Sequence, residues 1–196
     1  MSTLFHGYCT TMARVVNMTI ACELHGLFNL KQIAERNLNF KYDPRVFTAA
    51  RFRCHDPNYS ALLFSSGRVT LTGVNSLERG RQAIRHFCVN VLGEIGYETH
   101  CKKLKTDNYV GTLDLHQKLN LPTLYQQLRG PNCSYETELF PGLILRMPQL
   151  NATCLFFSSG KINFTGFKRK HDIRKIQRQI KFIVYQYLVG TSNSNK

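Results

Sequence analysis

Two long stretches of the chain share one pattern of apolar and polar positions. Residues 47–73 read FTAARFRCHDPNYSALLFSSGRVTLTG and residues 140–166 read FPGLILRMPQLNATCLFFSSGKINFTG, so matched positions are 93 residues apart. In each copy an apolar run ends at Ser-Ser-Gly, and a segment of alternating polar and apolar residues follows. This pattern predicts strands joined by turns. We expect an antiparallel meander built twice, which indicates a pseudo-symmetric domain, since a solenoid needs at least three copies.

Each meander is preceded by a strand and a short helix. Residues 15–24 are rich in β-branched side chains and alternate, and Asn29 stands before apolar residues at helical spacing, where it can cap the first turn. Residues 108–115 repeat the strand, and the next helix begins near Pro122, where a missing N–H does no harm. The repeat unit therefore starts with a strand and a short helix.

A longer amphipathic helix follows each meander. Residues 76–92 and 168–188 both place apolar side chains on one stripe. In the second helix seven basic residues lie away from that stripe: Lys168, Arg169, Lys170, Arg174, Lys175, Arg178 and Lys181. Helices of this kind would cover one face of the sheet and leave the other uncovered. An uncovered face carrying Phe64 and Phe157 would be an apolar patch that needs a partner.

The net charge narrows the class of partner. The 196 residues include 26 Lys and Arg against 12 Asp and Glu, a formal charge of +14. Such an excess favours a polyanion, either nucleic acid or an acidic membrane surface. No window approaches 18 apolar residues, and the first 16 residues lack the charged start and unbroken apolar core of a secretory signal. We expect a protein that stays inside the cell and has no membrane partner.

The sequence shows no catalytic or metal-binding motif. Its seven cysteines are odd in number, widely spaced and without a CxxC pair, which is typical of reduced thiols in core or surface positions. There is no P-loop, no HExxH and no GxSxG, and the lone histidines lack a fixed carboxylate or thiolate pair beside them. We therefore expect no enzyme, no cofactor and no metal.

The doubled motif F-x16-F-SSG-x4-TG, with YETELFPG at residues 135–142, resembles the core of the TATA-box-binding protein family and its related factors, from about residue 12 to residue 188. The resemblance implies an α+β fold: a pseudo-twofold saddle of two repeats forming one curved antiparallel sheet of about ten strands, with the concave face open and the helices on the convex face. The implied organisation is a flexible N-terminal tail (1–11), a first repeat (12–100), a second repeat (101–188) and a disordered C-terminal tail (189–196).

Minor-groove DNA binding is the function that the resemblance implies. The family's four wedge residues, which intercalate between base steps, fall on Phe47, Phe64, Phe140 and Phe157. Residues implied to contact base edges are Val15, Leu62, Thr72, Asn108, Val110, Ile144, Leu155, Asn163 and Thr165. Phosphate contacts are expected from Arg53, Arg68, Arg146 and Lys161. The concave face would then bind and kink A/T-rich double-stranded DNA, because the minor groove mainly distinguishes A·T from G·C.

Four positions depart from the family pattern. The family has an asparagine on the opening strand of each half; the second is kept as Asn108, and the first aligns with Ala13. Asn163 and, more mildly, Thr70 place polar groups where an apolar residue usually faces A·T pairs, and Arg51 occupies a usually apolar position. Together they predict a weaker A·T preference than the family norm.

Protein partners are also implied. Tyr135, Glu136, Glu138 and Leu139 match the acidic stirrup by which the family holds transcription factor TFIIB. The helix at 76–92 is less basic than the family's surface for TFIIA, so TFIIB is favoured over TFIIA, and TBP-associated factors are further candidates. A nuclear initiation factor that recruits RNA polymerase is expected, monomeric on DNA. Homodimerisation off DNA stays open, because the apolar underside would be bare.

Two other functions stay open from the sequence. One is an adaptor that keeps the fold, has lost or relaxed TATA binding and acts through protein partners; Ala13, Asn163 and Arg51 favour it, and the four phenylalanines oppose it. The other is an auxiliary domain of a DNA-modifying enzyme, although this chain has no room for a catalytic domain. Burial of Phe64 and Phe157 beneath helices would contradict the main hypothesis.

Overall fold

The structure is a computed structural model that describes residues 11–193, with side chains described as far as residue 187. The first half contains β1 (Arg14–Leu24), α1 (Leu30–Arg36), β2 (Phe40–Lys41), β3 (Ala49–Cys54), β4 (Tyr59–Phe64), β5 (Arg68–Val74) and α2 (Leu77–His86). The second half contains β6 (Cys101–Asp114), α3 (Leu121–Leu128), β7 (Cys133–Ser134), β8 (Leu143–Met147), β9 (Ala152–Phe156), β10 (Lys161–Thr165) and α4 (Asp172–Asn193). The order of elements is therefore the same in both halves.

The strands form one open sheet of ten strands in the order β2-β3-β4-β5-β1-β6-β10-β9-β8-β7. Within the first half β3 pairs with β4, β4 with β5 and β5 with β1, all antiparallel. Within the second half β8 pairs with β9, β9 with β10 and β10 with β6, again antiparallel. The predicted meander is present twice, and its last strand returns to the opening strand of its own half.

Side-chain caps fix where the helices begin. The Asn29 side-chain oxygen accepts a hydrogen bond from the Gln32 N–H, and the Asn120 side-chain oxygen accepts one from the Thr123 N–H. The Ser76 hydroxyl caps α2 in the same way. Each cap satisfies a donor that the first turn of a helix leaves unpaired. The cap predicted at Asn29 is confirmed, and the second half repeats it.

The described residues pack as two compact units, one of residues 17–108 and one of residues 11–16 and 109–193. In the first unit the rings of Phe40, Phe52 and Phe87 lie within 6.0 Å of one another, centroid to centroid. A Cβ atom at Gly80 of α2 would collide with the Ile20 side chain of β1, so glycine is what lets this helix lie directly on the sheet. After α2 the chain continues as a wider π-helical turn at Phe87–Leu92.

The second unit has a matching core. Tyr109 of β6 stacks on Phe167 with centroids 5.4 Å apart, and Phe164 of β10 lies 5.7 Å from the same ring. The buried side of α4 consists of Ile176, Gln177, Ile180, Val184 and Tyr187. As in the first unit, a long amphipathic helix provides the cover for the sheet, which is what its apolar stripe predicts.

Burial alternates along the strands of both halves. Along β4 (YSALLF) buried and half-buried residues alternate three times, beginning with a buried one. Buried residues also alternate with less buried ones along β9 and β10. Successive side chains of a strand point to opposite faces. The buried set forms the core with the helices, and the alternate set stays partly exposed. We call the surface formed by this second set the open face of each half.

Several element boundaries differ from the sequence prediction. Strand β6 begins at Cys101 and not near residue 108. The sequence pattern did not predict its first residues as strand, because they are basic and do not alternate with apolar residues. Helix α4 continues to Asn193, into the segment 189–196 that was predicted as a tail, and the rest of that segment lies outside the described residues, as does most of 1–11. Strands β2 and β7 are two residues long, too short to show a period.

Candidate nucleic-acid interface

Each half brings its two predicted wedge residues together. Phe47, just before β3, and Phe64, at the end of β4, have ring centroids 6.3 Å apart in an edge-to-face arrangement. Phe140 and Phe157 occupy the same places in the second half with centroids 5.9 Å apart. Edge-to-face contact is the geometry that aromatic quadrupoles prefer. The four rings therefore form two matched pairs, which we call the first and the second wedge pair.

The wedge rings are not part of the core. Phe64 and Phe157 are half-buried, while the residues just before them, Leu63 and Phe156, are fully buried. Phe47 is 39% exposed. An isolated phenylalanine on a strand most often belongs to a core. These four side chains do not have that ordinary role, because all of them lie partly exposed at the open face.

Small residues make room for the wedge pairs. A Cβ atom at Gly142 would lie 2.7 Å from Cε1 of Phe140 and 3.2 Å from Cε1 of Phe157. The matched residue in the first half is Ala49, which is buried and pairs across strands with Phe64. A larger side chain at either position would push the two rings of a pair apart. This contact gives the glycine of the Phe-Pro-Gly motif a physical role.

A row of residues crosses each open face at the same register in both halves. In the first half cross-strand pairing lines up Arg51, Leu62, Thr70 and Ala21. In the second half it lines up Ile144, Leu155, Asn163 and Thr112. The two rows match residue for residue through the repeat, and both consist mainly of half-buried side chains. Such a surface, apolar with scattered hydroxyl and amide groups, suits the shallow acceptor pattern of a minor groove.

Two arginines rest against the first wedge pair. The guanidinium carbon of Arg68 lies 4.2 Å from the centroid of Phe64, and that of Arg51 lies 5.8 Å from the centroid of Phe47. Cations at this range are attracted by the ring faces. The matched residues in the second half are Lys161 and the uncharged Ile144. The two wedge pairs therefore sit in different electrostatic surroundings.

The other predicted DNA contacts also lie on exposed or half-buried positions of the strands. The proposed phosphate contacts, Arg53, Arg68, Arg146 and Lys161, are all exposed. Thr165 pairs across strands with Val110, and Thr72 pairs with Ser60. All of these side chains belong to the alternate, partly exposed set of their strands. The structure thus places every residue predicted for DNA contact outside the buried core.

The prediction that Ala13 stands at the repeat position of Asn108 is wrong. The Leu24 N–H donates to the Gly67 carbonyl in the first half, and the Leu115 N–H donates to the Gly160 carbonyl in the second, so the opening strands are related by 91 residues. Counting back from these bonds puts Asn17 at the place of Asn108. Likewise Thr19, and not Val15, stands at the place of Val110.

Ala13 has a different environment. It precedes β1, and its N–H donates to the Gln177 side-chain oxygen of α4 at 2.8 Å. Asn17 lies next to an irregularity in strand pairing between Met18 and Ile20. Its side-chain oxygen accepts hydrogen bonds from the N–H groups of Gly73 and Met18, at 3.0 and 2.9 Å. Because the oxygen is engaged, the side-chain NH₂ is the end directed toward other acceptors.

The spacing from the helix caps could have identified Asn17 from the sequence. Asn17 precedes the capping residue Asn29 by 12 residues, and Asn108 precedes Asn120 by the same number. The meander repeat of 93 residues does not extend to the opening strands, because the segment between helix and meander is two residues longer in the second half. The pairing of Ala13 with Asn108 implies an offset of 95 residues, which matches neither the meanders nor the opening strands.

The predicted TFIIB-contacting residues lie in the turn between β7 and β8. The N–H groups of Leu139 and Phe140 both donate to the Glu136 carbonyl, at 3.0 and 2.9 Å. Leu139 is 80% exposed, and Glu136 and Glu138 are exposed as well. Tyr135 is half-buried against the ring of Tyr125, with centroids 6.1 Å apart. This turn therefore has two exposed acidic residues and one exposed leucine directly before Phe140 of the second wedge pair.

The six described cysteines are free thiols. Burial raises the pKa of Cys88 to about 11 and that of Cys154 to about 12, so both stay protonated at neutral pH. Among residues 11–193 no group of three or more His, Cys, Asp or Glu side chains is placed to hold a metal ion. No helix in the described part of the chain is both long enough and apolar enough to cross a membrane.

The chain is similar to proteins of one family along most of its length. The family profile described as "Transcription factor TFIID (or TATA-binding protein, TBP)" matches residues 12–92 and 103–187. The TATA-box-binding protein of Tetrahymena thermophila is 34% identical over 174 residues, which is 89% of this chain and 70% of that protein. The TATA-box-binding protein of Acetabularia peniculus is 35% identical, over 88% of this chain and 87% of its own length.

Solved structures show the same relationship. The structure of Methanococcus jannaschii TBP superimposes with a TM-score of 0.76 at 28% identity, covering 89% of this chain and 99% of that one. The α+β fold with two repeats in one open antiparallel sheet of ten strands, predicted from the sequence, is confirmed. The repeat, the fold and the matched sequences together show that the chain belongs to the TATA-box-binding protein family.

Proposed function

We propose that this protein is a nuclear transcription initiation factor that binds the minor groove of A/T-rich promoter DNA and bends it. The observation that carries the proposal is the pair of partly exposed phenylalanines at the open face of each half, beside a row of apolar, hydroxyl and amide side chains. The related proteins named above are TATA-box-binding proteins, which supports the same ligand for this chain. No enzymatic activity is part of the proposal.

The wedge pairs would bend the duplex. A ring inserted between two base pairs unstacks them, at a cost of a few kcal/mol per step, and opens the minor groove toward the protein. The widened groove then covers the open face, and burial of that apolar area offsets the unstacking. Flexible pyrimidine–purine steps are the easiest to kink, so the bend itself contributes to sequence preference.

Hydrogen-bond donors would read the floor of the groove. Adenine N3 and thymine O2 are acceptors, and guanine N2 adds a donor that distinguishes G·C pairs. Asn17 and Asn108 offer amide donors on the two opening strands, and Thr72 and Thr165 offer hydroxyl groups. With Asn17 in the place first assigned to Ala13, both family asparagines are present. One of the reasons for expecting a relaxed A·T preference is thereby removed.

The remaining departures still favour a preference weaker than the family norm. Asn163 stands at the centre of the second row and Thr70 at the centre of the first, where each adds a polar group that a hydrocarbon surface lacks. Arg51 brings a charge to the end of the first row. The Asn163 side-chain oxygen or the Thr70 hydroxyl can accept a hydrogen bond from the guanine amino group, so discrimination against G·C weakens.

Phosphate contacts would set affinity and salt dependence. Arg53, Arg68, Arg146 and Lys161 are exposed on the strands of the two halves. Each neutralised phosphate lowers the slope of log K against log salt concentration by about 0.9. Four contacts predict a slope of roughly −3 to −4.

Recruitment of TFIIB and RNA polymerase is the further part of the proposal. The acidic turn with Glu136, Glu138 and exposed Leu139 is the surface that supports TFIIB binding. TFIIA is not favoured, because Val89 stands exposed on the helical surface after α2 where a cation would be expected. TBP-associated factors remain candidate partners. We expect a monomer on DNA, and self-association only where DNA does not cover the apolar open face.

The test is a bending assay on an A/T-rich duplex labelled with a donor and an acceptor dye at its ends. The double variant Phe140→Ala, Phe157→Ala should lose most of the bend-induced energy transfer. The matched control is Phe182→Ala on α4, which removes an equally large exposed ring from outside the open face. Equal bending by the wild type and the double variant would overturn the proposal.

The adaptor hypothesis predicts a different result. It requires that the wild type bind TFIIB while showing no salt-dependent binding to any duplex. The polar residues Arg51 and Asn163 are the observations that favour it. A titration of A/T-rich and G/C-rich duplexes at two salt concentrations separates the hypotheses, since only the DNA-binding protein shows a steep salt slope.

A further inference from the structure

The outer side of α4 carries arginines and partly exposed aromatic rings on one stripe. Arg174, Arg178 and Phe182 follow one another at intervals of four residues, which places them above each other on a helix. Phe182 is 57% exposed and Tyr185, three residues further, is 43% exposed. The opposite side of the helix is buried in the second unit. We call the side with Arg174, Arg178, Phe182 and Tyr185 the outer stripe of α4.

A basic groove lies at the start of the same helix. A cavity of about 430 Å³ is lined by residues that include Lys168, Arg169 and Lys175, together with the loop before β9. Its acid, Asp172, already interacts with Lys175 at 3.6 Å and with His171 at 3.5 Å. The lining therefore keeps an excess of positive charge. A cleft of one sign concentrates ligands of the opposite sign.

The groove and the aromatic rings are spaced for one extended ligand. Seven residues separate Lys175 from Phe182, which corresponds to ~10 Å along a helix. An extended peptide covers that distance in about three residues. A ligand with acidic side chains at one end and an apolar side chain a few residues away would meet both features at once.

We propose that the outer stripe of α4 and the adjoining groove form a docking site for an acidic protein segment that carries an apolar anchor residue. Arginine and aromatic side chains are the residues that supply most binding energy in protein interfaces. A second copy of this chain does not fit, because two helices of the same positive charge repel each other. Charge complementarity selects an acidic partner.

The first half argues for a protein ligand over a nucleic acid. Arg81, Arg85 and Val89 occupy the matched positions, 93 residues before Arg174, Arg178 and Phe182, and Val89 is 63% exposed. Single-stranded nucleic acids bind proteins by stacking bases on aromatic rings. A valine cannot stack in this way, whereas a protein's apolar anchor packs on either valine or phenylalanine. The shared feature of the two stripes is thus an exposed apolar residue after two arginines.

The site is separate from the proposed DNA surface. In the second unit α4 buries Ile176, Ile180 and Val184, and its outer stripe faces away from these core residues. The second wedge pair lies on the partly exposed set of strand positions, opposite the residues that form that core. Substitutions on the outer stripe should therefore leave duplex binding unchanged, and duplex binding serves as the check that each variant is folded.

The experiment uses the full chain and a fluorescein-labelled synthetic peptide of alternating acidic and leucine residues with one central phenylalanine. Fluorescence anisotropy should show saturable binding that weakens with salt. The variant Arg174→Glu, Arg178→Glu should lower the affinity roughly tenfold or more, and Phe182→Ala several-fold. The matched control Lys31→Glu, Lys41→Glu makes the same change of charge at two exposed residues that lie on neither stripe, and it should have less than about a threefold effect.

Three results would overturn the proposal. The first is equal loss of peptide binding in the α4 variant and the matched control, which would mean unspecific attraction to a basic protein. The second is equal affinity for a control peptide in which serine replaces phenylalanine and leucine, since no apolar anchor would then be needed. The third is binding of a single-stranded oligonucleotide that depends on Phe182 while the peptide fails to bind.

Discussion

The two wedge pairs have nearly the same geometry and different surroundings. Their ring separations are 6.3 and 5.9 Å, and both are edge-to-face. Beside the first pair stand Arg51 and Arg68, while Ile144 takes the place of Arg51 beside the second. The strands and the rings are repeated, and of the two cations only one has a counterpart, Lys161, in the second half. The repeat therefore supplies the same strands and ring pairs twice, and each half has its own polarity beside them.

The turns before the wedge pairs have the same backbone hydrogen bonds and differ in charge. In the first half the N–H groups of Val46 and Phe47 donate to the Asp43 carbonyl, as Leu139 and Phe140 do to Glu136 in the second. Asp43 forms an ion pair with Arg45 at 3.1 Å, whereas Glu138 stands in the place of Arg45. One turn is thus internally neutral and the other acidic. Only the second turn offers unopposed acids to a basic partner.

The largest expected effect is a loss of unfolding free energy on substitution of two glycines that have the same backbone conformation in both halves. Gly67 and Gly160 both have φ of +86°, and a Cβ atom at Gly160 would collide with the Gln117 carbonyl, while one at Gly67 would lie 2.8 Å from the Leu24 carbonyl. Both Gly→Ala variants should lose about 2–4 kcal/mol of unfolding free energy in urea titrations, with Gly160→Ala the more affected. An unchanged stability would mean that the two turns relax freely.

The second-largest expected effect is on TFIIB binding, when the charges of the two turns are exchanged. Glu138→Arg gives the second turn the residue of the first and should weaken TFIIB binding roughly tenfold, because a partner's cation then meets a like charge. Arg45→Glu makes the opposite change in the first half and should alter TFIIB binding by less than about twofold. Binding is measured by anisotropy on a labelled promoter duplex. Similar effects of the two variants would remove the proposed difference between the turns.

Exchange of the row residues should produce a smaller change in DNA binding. Arg51→Ile gives the first row the residue of the second and should raise the A·T preference, while the salt slope, which the four phosphate contacts set, should stay nearly unchanged. Ile144→Arg should do the reverse in the second half. Duplex titrations at several salt concentrations measure both quantities. A salt slope that becomes shallower by about 0.9 in Arg51→Ile, with no change in A·T preference, would show that Arg51 contacts a phosphate and does not act on the bases.

Much of this comparison could be predicted from the sequence. The apolar runs, the Ser-Ser-Gly turns and the alternation after them determine β4, β5, β9 and β10, since strand period and turn chemistry are local properties. The capping asparagines mark α1 and α3 for the same reason. Family resemblance added the wedge residues, and the structure places all four of them partly exposed. That open position depends on which face the long helices cover, which the strand pattern alone does not specify.

The missed features depend on packing between distant segments. The place of Asn17 follows from its 12-residue spacing to Asn29, but its hydrogen bonds beside the irregular pairing of Met18 and Ile20 arise only when β1 meets β5. The contact of Arg68 with Phe64 joins the end of one strand to the start of the next across a turn, and no sequence period reports it. The Asp43–Arg45 ion pair is short-range and could have been anticipated from the i, i+2 spacing in a turn.

The smallest expected effect is the acid titration of the first turn. Hydrogen bonds from Arg45 hold the pKa of the Asp43 carboxyl below its ordinary value. A depressed pKa in the folded protein contributes stability above the unfolded pKa, and that contribution is lost as pH falls through the lower, folded pKa. Because the ion pair lies at the surface, with Arg45 exposed and Asp43 half-buried, the change in stability should be slight. The titration of Asp43 itself, followed by carboxyl NMR, is the sharper measurement: in Arg45→Ala its pKa should rise, because the side-chain hydrogen bonds are lost, and should stay below the ordinary value, because the N–H of residue 45 still donates to the carboxylate. An identical titration in both proteins would mean that the first turn is not neutralised from within and differs less from the acidic turn of the second half.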